Sequence, residues 1–149
     1  MTAIIQTVKS VEPYGENLSI VTTSEGHKVI ANKREDGSFR WEAGEPCVYV
    51  SEGSIIPDDV LKERGYWDDE KDRGLLDGGK RNRVKMKKLA GFESRGLLFK
   101  VEVNDSPIAT SNMTIERTVV GDGYAVDKYL FVNLGDDVTD FFGITEFTG

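Results

Sequence analysis

The chain has 149 residues, 38% of them apolar and 30% charged. That length supports one domain with its own core, and the composition excludes a disordered or fibrous protein and a pair of full-sized domains. Nineteen basic residues face 26 acidic ones for a net charge of −7, which excludes indiscriminate polyanion binding.

The charge is unevenly spread. Lys80 to Lys88 holds six basic residues and no acid, so the rest of the chain holds 13 basic residues against all 26 acidic ones. A confined anion site is compatible with that pattern. No apolar run reaches the roughly 18–20 residues of a membrane helix. Met1 to Lys9 lacks the charged start, apolar middle and cleavage site of a signal peptide. Cys47, the single cysteine, has no internal disulfide partner, so a reducing cytoplasm is the expected compartment.

In chain order, Ala3–Val11 alternates apolar and polar residues and predicts a strand. Pro13–Asn17 is a turn. Leu18–Thr23 and His27–Ala31 flank Ser24-Glu-Gly26 as a hairpin. Lys33–Glu45 reads as a loop and Cys47–Val50 as a buried strand. Pro57–Arg64 is the helix candidate, with proline and two acids in its first turn and Gly65 as its stop. Tyr66–Gly79 reads as a mobile excursion. Strands follow at Arg81–Lys88, Gly96–Val103 and Met113–Val120. Gly121-Asp-Gly123 then turns into Tyr124–Asn133. Val138, Phe141, Phe142 and Ile144 in the tail suit one helical turn. The expectation is an all-β protein, a small barrel or sandwich.

The basic segment carries the most chemistry. In a strand, Arg81, Arg83, Lys85 and Lys87 share one side, while Val84 and Met86 face a core. Cations about 6.5–7 Å apart in a row repel one another unless an anion lies along them. A phosphate backbone is such an anion; the bland alternative is a solvated face balanced by the acidic body. His27 is the lone histidine, so no serine or cysteine triad is indicated. Cys47 reads as a small core residue, and no Cys or His pair suggests zinc. Asp68-Asp69-Glu70 and Asp136-Asp137 read as solvated acids rather than a cation site. Gly121-Asp-Gly123 is not a phosphate loop, since no GKS/T element follows it. Phe39, Trp41, Trp67 and Phe92 are aromatics able to stack on bases or to fill a core.

Five segments together resemble one family. These are Ile4–Val11 with Asn17–Val21 and Gly26–Ile30; Gly44-Glu-Pro-Cys-Val-Tyr-Val50; Glu52–Pro57; Arg83-Val-Lys-Met-Lys-Lys-Leu-Ala-Gly-Phe-Glu-Ser-Arg-Gly-Leu-Leu-Phe99; and Gly135–Thr145. In that order they are similar to the N-terminal domain of ATP-dependent, nick-sealing RNA ligases of bacteria, phages and some protists, in which an OB-like domain precedes the nucleotidyltransferase domain. The long segment is similar to a family pattern R-I-K-x-x-K-L-R-G-x-x-S-Q-G-L-L. Ala90 and Arg95 depart from it, standing where the family usually has Arg and Gln. The stretch at about 104–133 is the unfamiliar part.

The resemblance implies an OB-like small β-barrel over residues 1–149, with one short helix and an extra C-terminal hairpin. It implies an RNA-binding domain that holds nicked or broken RNA for repair by end sealing, with Arg81, Arg83, Lys85, Lys87, Lys88 and Arg95 on phosphates and Phe92 stacking. The family's adenylation lysine lies in a K-x-D-G motif. Here the nearest lookalike is Arg34-Glu-Asp-Gly37, and a guanidinium stays protonated and is not nucleophilic. The domain is therefore expected to be non-catalytic alone. ATP and a divalent metal would belong to a catalytic domain that this chain lacks, with RNA and a ligase domain or subunit as partners. The rival reading is a protein-interaction or self-assembling adaptor without nucleic-acid binding.

Overall fold

The computed structural model describes residues 2–76, 81–108 and 111–147. In chain order its elements are β1 (Ala3–Tyr14), β2 (Leu18–Thr23), β3 (Lys28–Asn32), β4 (Pro46–Val50), β5 (Ser54–Ile55) and α1 (Asp58–Glu63). Next come β6 (Trp67–Asp68), β7 (Arg73–Gly74), β8 (Lys87–Leu89), β9 (Phe92–Ser94) and β10 (Leu97–Lys100). The chain continues with β11 (Glu102–Ile108), β12 (Ser111–Gly121), β13 (Tyr124–Val132), α2 (Thr139–Phe142) and β14 (Thr145–Glu146).

The main sheet is antiparallel with strand order β10-β4-β1-β2-β3. β1 is long because it serves two neighbours. Ala3–Thr7 pairs with β4 and Val8–Tyr14 with β2, with a register shift between Val8 and Ser10. A bulge bends a strand and adds local twist, which is how one chain feeds both halves of a curled sheet. The sheet rolls far enough for β9 to meet β3. The Ile30 N–H donates to Ser94 Oγ at 2.9 Å, and the Arg95 N–H to the Lys28 carbonyl at 3.2 Å. The fold is all-β and OB-like, as the resemblance implies.

Every residue of β4 is buried, because both faces of the sheet are covered. Cys47 and Tyr49 join Val8, Val21, Val29, Trp41 and Leu98 in one apolar cluster. Val48 and Val50 point the other way, into a larger cluster with Ile5, Val60, Leu61, Phe99, Ile115 and Phe142. Burial pushes the Cys47 thiol up to about 12.

α1 begins after Pro57, and Gly65 follows it at φ +84°. Arg117 on β12 is buried and anchors the helix to that strand. Its guanidinium donates to Asp59 at 2.6 Å and to the Phe141 carbonyl at 3.0 Å. The tail forms the single helical turn that its apolar residues suit: α2 closes on left-handed Gly143. One structural correction concerns the Tyr66–Gly79 excursion. The described part of the Tyr66–Gly79 excursion is a hairpin, with Trp67 opposite Gly74 and Asp68 opposite Arg73; residues 77–79 lie outside the described residues. The unfamiliar stretch holds a three-stranded sheet, β11-β12-β13. Its second turn has φ +50° at Asp122 and +84° at Gly123, the two positive values that a two-residue hairpin needs.

Candidate nucleic-acid interface

The basic segment is not one strand. Arg81 occupies a turn at φ +67°, and its carbonyl accepts the Leu76 N–H at 3.2 Å. Asn82–Val84 runs beside β5: the Ile56 N–H donates to Asn82, the Gly53 N–H to Val84, and the Val84 N–H to Ser54, at 2.9, 2.7 and 2.8 Å. The chain then leaves β5 and re-forms as β8, paired with β9. The expected Arg81–Lys88 row fails because its backbone groups are taken by two different partners. Alternation survives over its middle: Val84 is buried, and Arg83, Lys85 and Lys87 line the same cleft.

That cleft has a volume of about 790 Å³. β3, the Arg34–Trp41 loop, the end of α1, the basic segment and β10 form its walls. Among the described residues Arg34, Arg40, Arg64, Arg83, Lys85, Lys87 and Lys100 line it, against one carboxylate, Glu63. Three of these cations are committed within the fold. Arg34 donates to the Phe39 carbonyl at 3.0 Å and helps to hold the Asp36 carboxyl below its ordinary pKa, after the hydrogen bonds from Ser38. Lys100 Nζ is 2.7 Å from Glu45, also donates to the Arg40 carbonyl and lies 4.0 Å above the Trp41 ring. Arg64 is 3.8 Å from Glu63, donates to the Lys100 and Glu116 carbonyls and stacks on Phe99 and Phe142. Arg34, Arg40, Arg83, Lys85 and Lys87 have no carboxylate within 4.0 Å among the described residues. Arg83 is held over the Phe147 ring, 3.8 Å from its centre.

The remaining expected site residues sit elsewhere. Arg81 is exposed outside the cleft walls. Lys88 is exposed opposite Glu93 in the β8–β9 pair. Arg95 is not a free cation: Glu52 and Glu93 hold it at 2.9 and 3.1 Å, and hydrogen bonds to Glu93 and then Glu52 raise its pKa. Phe92 is half-buried and tilts against Tyr14, ring centres 5.7 Å apart, so it secures the β8–β9 hairpin to β1.

Arg34 and Arg40 are the cleft residues that sequence reasoning missed. They lie in a polar loop some forty residues before the basic run and meet it only because the sheet curls. The Arg34–Gly37 lookalike is a surface turn. The Gly37 N–H donates to the Arg34 carbonyl, and Asp36 accepts both the N–H and the hydroxyl of Ser38. The acidic runs also serve turns: Asp68 accepts the Glu70 N–H, and Asp137 the Thr139 N–H. No group of three or more His, Cys, Asp or Glu side chains is placed to hold a metal among the described residues. Trp41 is buried beneath Lys100, and His27 stacks on Tyr49.

Fold and cleft together define an OB-like domain with a cation-lined groove. Among solved structures, the chain is similar to forms of a Naegleria gruberi RNA ligase. A mutant in its apo form superimposes with a TM-score of 0.58 at 22% identity over 99% of this chain. A mutant with AMP and Mn gives 0.57 at 24% over 98%, and the ligase with PPi gives 0.57 at 22% over 99%. The chain spans only 35% of the length of those ligase chains. The likeness is one of fold. No protein-family profile and no curated protein matches the chain.

Proposed function

We propose that this chain is the N-terminal OB-like domain of an ATP-dependent RNA ligase, or a relative of it encoded alone. In this reading its cleft grips the phosphate backbone of nicked or broken RNA during end sealing. The observation that carries it is the gathering of Arg34, Arg40, Arg83, Lys85 and Lys87, none with a carboxylate within 4.0 Å among the described residues, around one cleft of an otherwise acidic chain. Like charges are costly to assemble unless an anion spans them, and an OB-type barrel with a cationic groove suits a nucleic-acid strand. Ribose 2′-hydroxyl contacts would favour RNA over DNA. The adenylation lysine, ATP and the divalent metal belong in this reading to a separate catalytic domain, and this domain positions RNA for it.

Binding to a labelled nicked RNA duplex, measured across a salt series, tests the proposal. Each phosphate neutralised contributes about 0.7–0.9 to the slope of log affinity against log salt. Replacing Arg83, Lys85 and Lys87 together by Ala should flatten the slope by roughly 2 or more and weaken binding at low salt. Unchanged affinity at every salt concentration would overturn the reading. Incubation with labelled ATP and Mn should leave the chain unlabelled; covalent AMP on it would overturn the non-catalytic assignment.

A further inference from the structure

We propose that the outer edge of β13 and the adjoining face of its sheet dock a basic, extended segment of a partner protein, which adds to the sheet as a fourth strand. The inference is independent of the cleft and of RNA.

Three observations carry it. First, β13 ends the order β11-β12-β13, and no further strand pairs with it among the described residues. Gly121 and Tyr124 close a two-residue turn, so they form a hydrogen-bonded pair, and that state alternates along the ladder. The N–H and C=O groups of Ala125, Asp127, Tyr129 and Phe131 therefore point outward. β12 supports this phasing, since its alternate residues Glu116 and Thr118 turn their backbone groups away from β13 toward Arg64 and Glu63.

Second, the edge is apolar and open. Tyr124, Val126, Tyr129 and Phe131 are 64%, 45%, 59% and 48% exposed. An exposed apolar edge strand is an adhesive surface that proteins normally blunt or use.

Third, the charge selects the occupant. The register puts Glu102 opposite Thr114, Glu116 opposite Tyr129, Thr118 opposite Asp127 and Thr114 opposite Phe131. One face of the sheet thus displays Tyr129 and Phe131 among Glu102, Glu116 and Asp127, with no Lys or Arg from those strand positions. Arg64 and Lys100 border this face across β12: Lys100 is paired with Glu45, and Arg64, hydrogen-bonded to carbonyls, partly offsets Glu102 and Glu116 but leaves Asp127 unpaired with any cation at the strand edge among the described residues. The Glu116 and Asp127 charges raise the Tyr129 hydroxyl pKa, as a negative surface does. A partner strand alternating Lys or Arg with apolar residues satisfies backbone, aromatic and charge requirements together. A second copy does not. Two-fold antiparallel pairing places like faces side by side, so a copy would add its own Glu102, Glu116 and Asp127 to this face and leave the negative charge unbalanced.

The probe is a peptide of about ten residues, the length of an added strand, alternating Lys and Val, with a Glu-for-Lys counterpart as control. Amide exchange and NMR titration give the readout. The Lys peptide should slow exchange at Ala125, Asp127, Tyr129 and Phe131 but not at Val126, Lys128 and Leu130. The Glu peptide should bind about tenfold or more weakly, as expected of charge complementarity. Tyr129→Ser with Phe131→Ser should weaken the Lys peptide several-fold while keeping the amide fingerprint of the folded chain. The Arg83, Lys85 and Lys87 replacements should leave peptide binding unchanged. Equal binding of both peptides, protection elsewhere, or self-association that protects the β13 edge without peptide would each overturn the proposal.

Discussion

The Arg83 guanidinium rests over the Phe147 ring across β5. Asn82–Val84 and β14 flank that short strand on opposite sides. The contact restricts a flexible cation before any ligand arrives, and a pre-ordered side chain loses less entropy on binding. Phe147→Ala and Arg83→Ala should therefore act differently on RNA. The first should weaken binding a few-fold at an unchanged salt slope, because no charge is lost. The second should also reduce the slope by about 0.7–0.9. A salt series on both variants separates order from charge.

Arg95 provides the contrast. Glu52 and Glu93 already neutralise it, so Arg95→Ala should leave the salt slope of RNA binding unchanged. The bridges are exposed, and stability should change little. Urea unfolding and the same binding titration check both halves.

Gly96 has φ +108°, and a Cβ there would lie 2.5 Å from the Tyr49 ring, whose hydroxyl donates to the Arg95 carbonyl. Gly96→Ala should cost about 2 kcal/mol or more, from strain plus overpacking. Gly44→Ala, at φ +91° with open space around it, should cost about 1–2 kcal/mol from backbone strain alone. Denaturant midpoints should rank them in that order.

Ala90 runs the opposite way. It holds φ +49° beside Gly91 at +86° in the turn joining β8 to β9, an unfavourable place for a side chain. Ala90→Gly should stabilise the chain by up to about 1 kcal/mol, the relief of left-handed strain less the added freedom of the unfolded glycine. A thermal melt shows the shift.

Cys47 gives a pH signature. Its thiol rises from an ordinary 9.0 to about 12, first through burial. Between those values the unfolded chain releases a proton that the folded chain keeps, so the unfolded state gains and stability falls. The slope approaches about 1.4 kcal/mol per pH unit. Cys47→Ala should be less stable at neutral pH but lose less stability from pH 9 upward. A steeper alkaline loss in the variant would contradict this. In the native chain, Cys47 should resist alkylation that proceeds readily in denaturant.

Much of the fold is legible because its signals are local. The alternation in β1, the Pro57–Gly65 frame of α1 and the Asp122-Gly123 turn each announce themselves within a few residues. The candidate site is less legible because it is assembled over distance. Arg83 has its backbone fixed by Gly53–Ile56, Arg95 meets Glu52, and Phe92 meets Tyr14, none of which periodicity can show. Arg34 and Arg40 carry no mark within their own loop. The run at 80–88 marks one wall of the cleft because charge density is itself a local property, but it does not reveal that the walls opposite are cationic too.

The bonds between β3 and β9 are a hydroxyl and a single carbonyl where a full ladder would otherwise run. A curled sheet held by so few bonds along one line opens there at low cost. Since β3 and Ser94 also stand at the lip of the groove, the width of the groove is set by the weakest join in the wall.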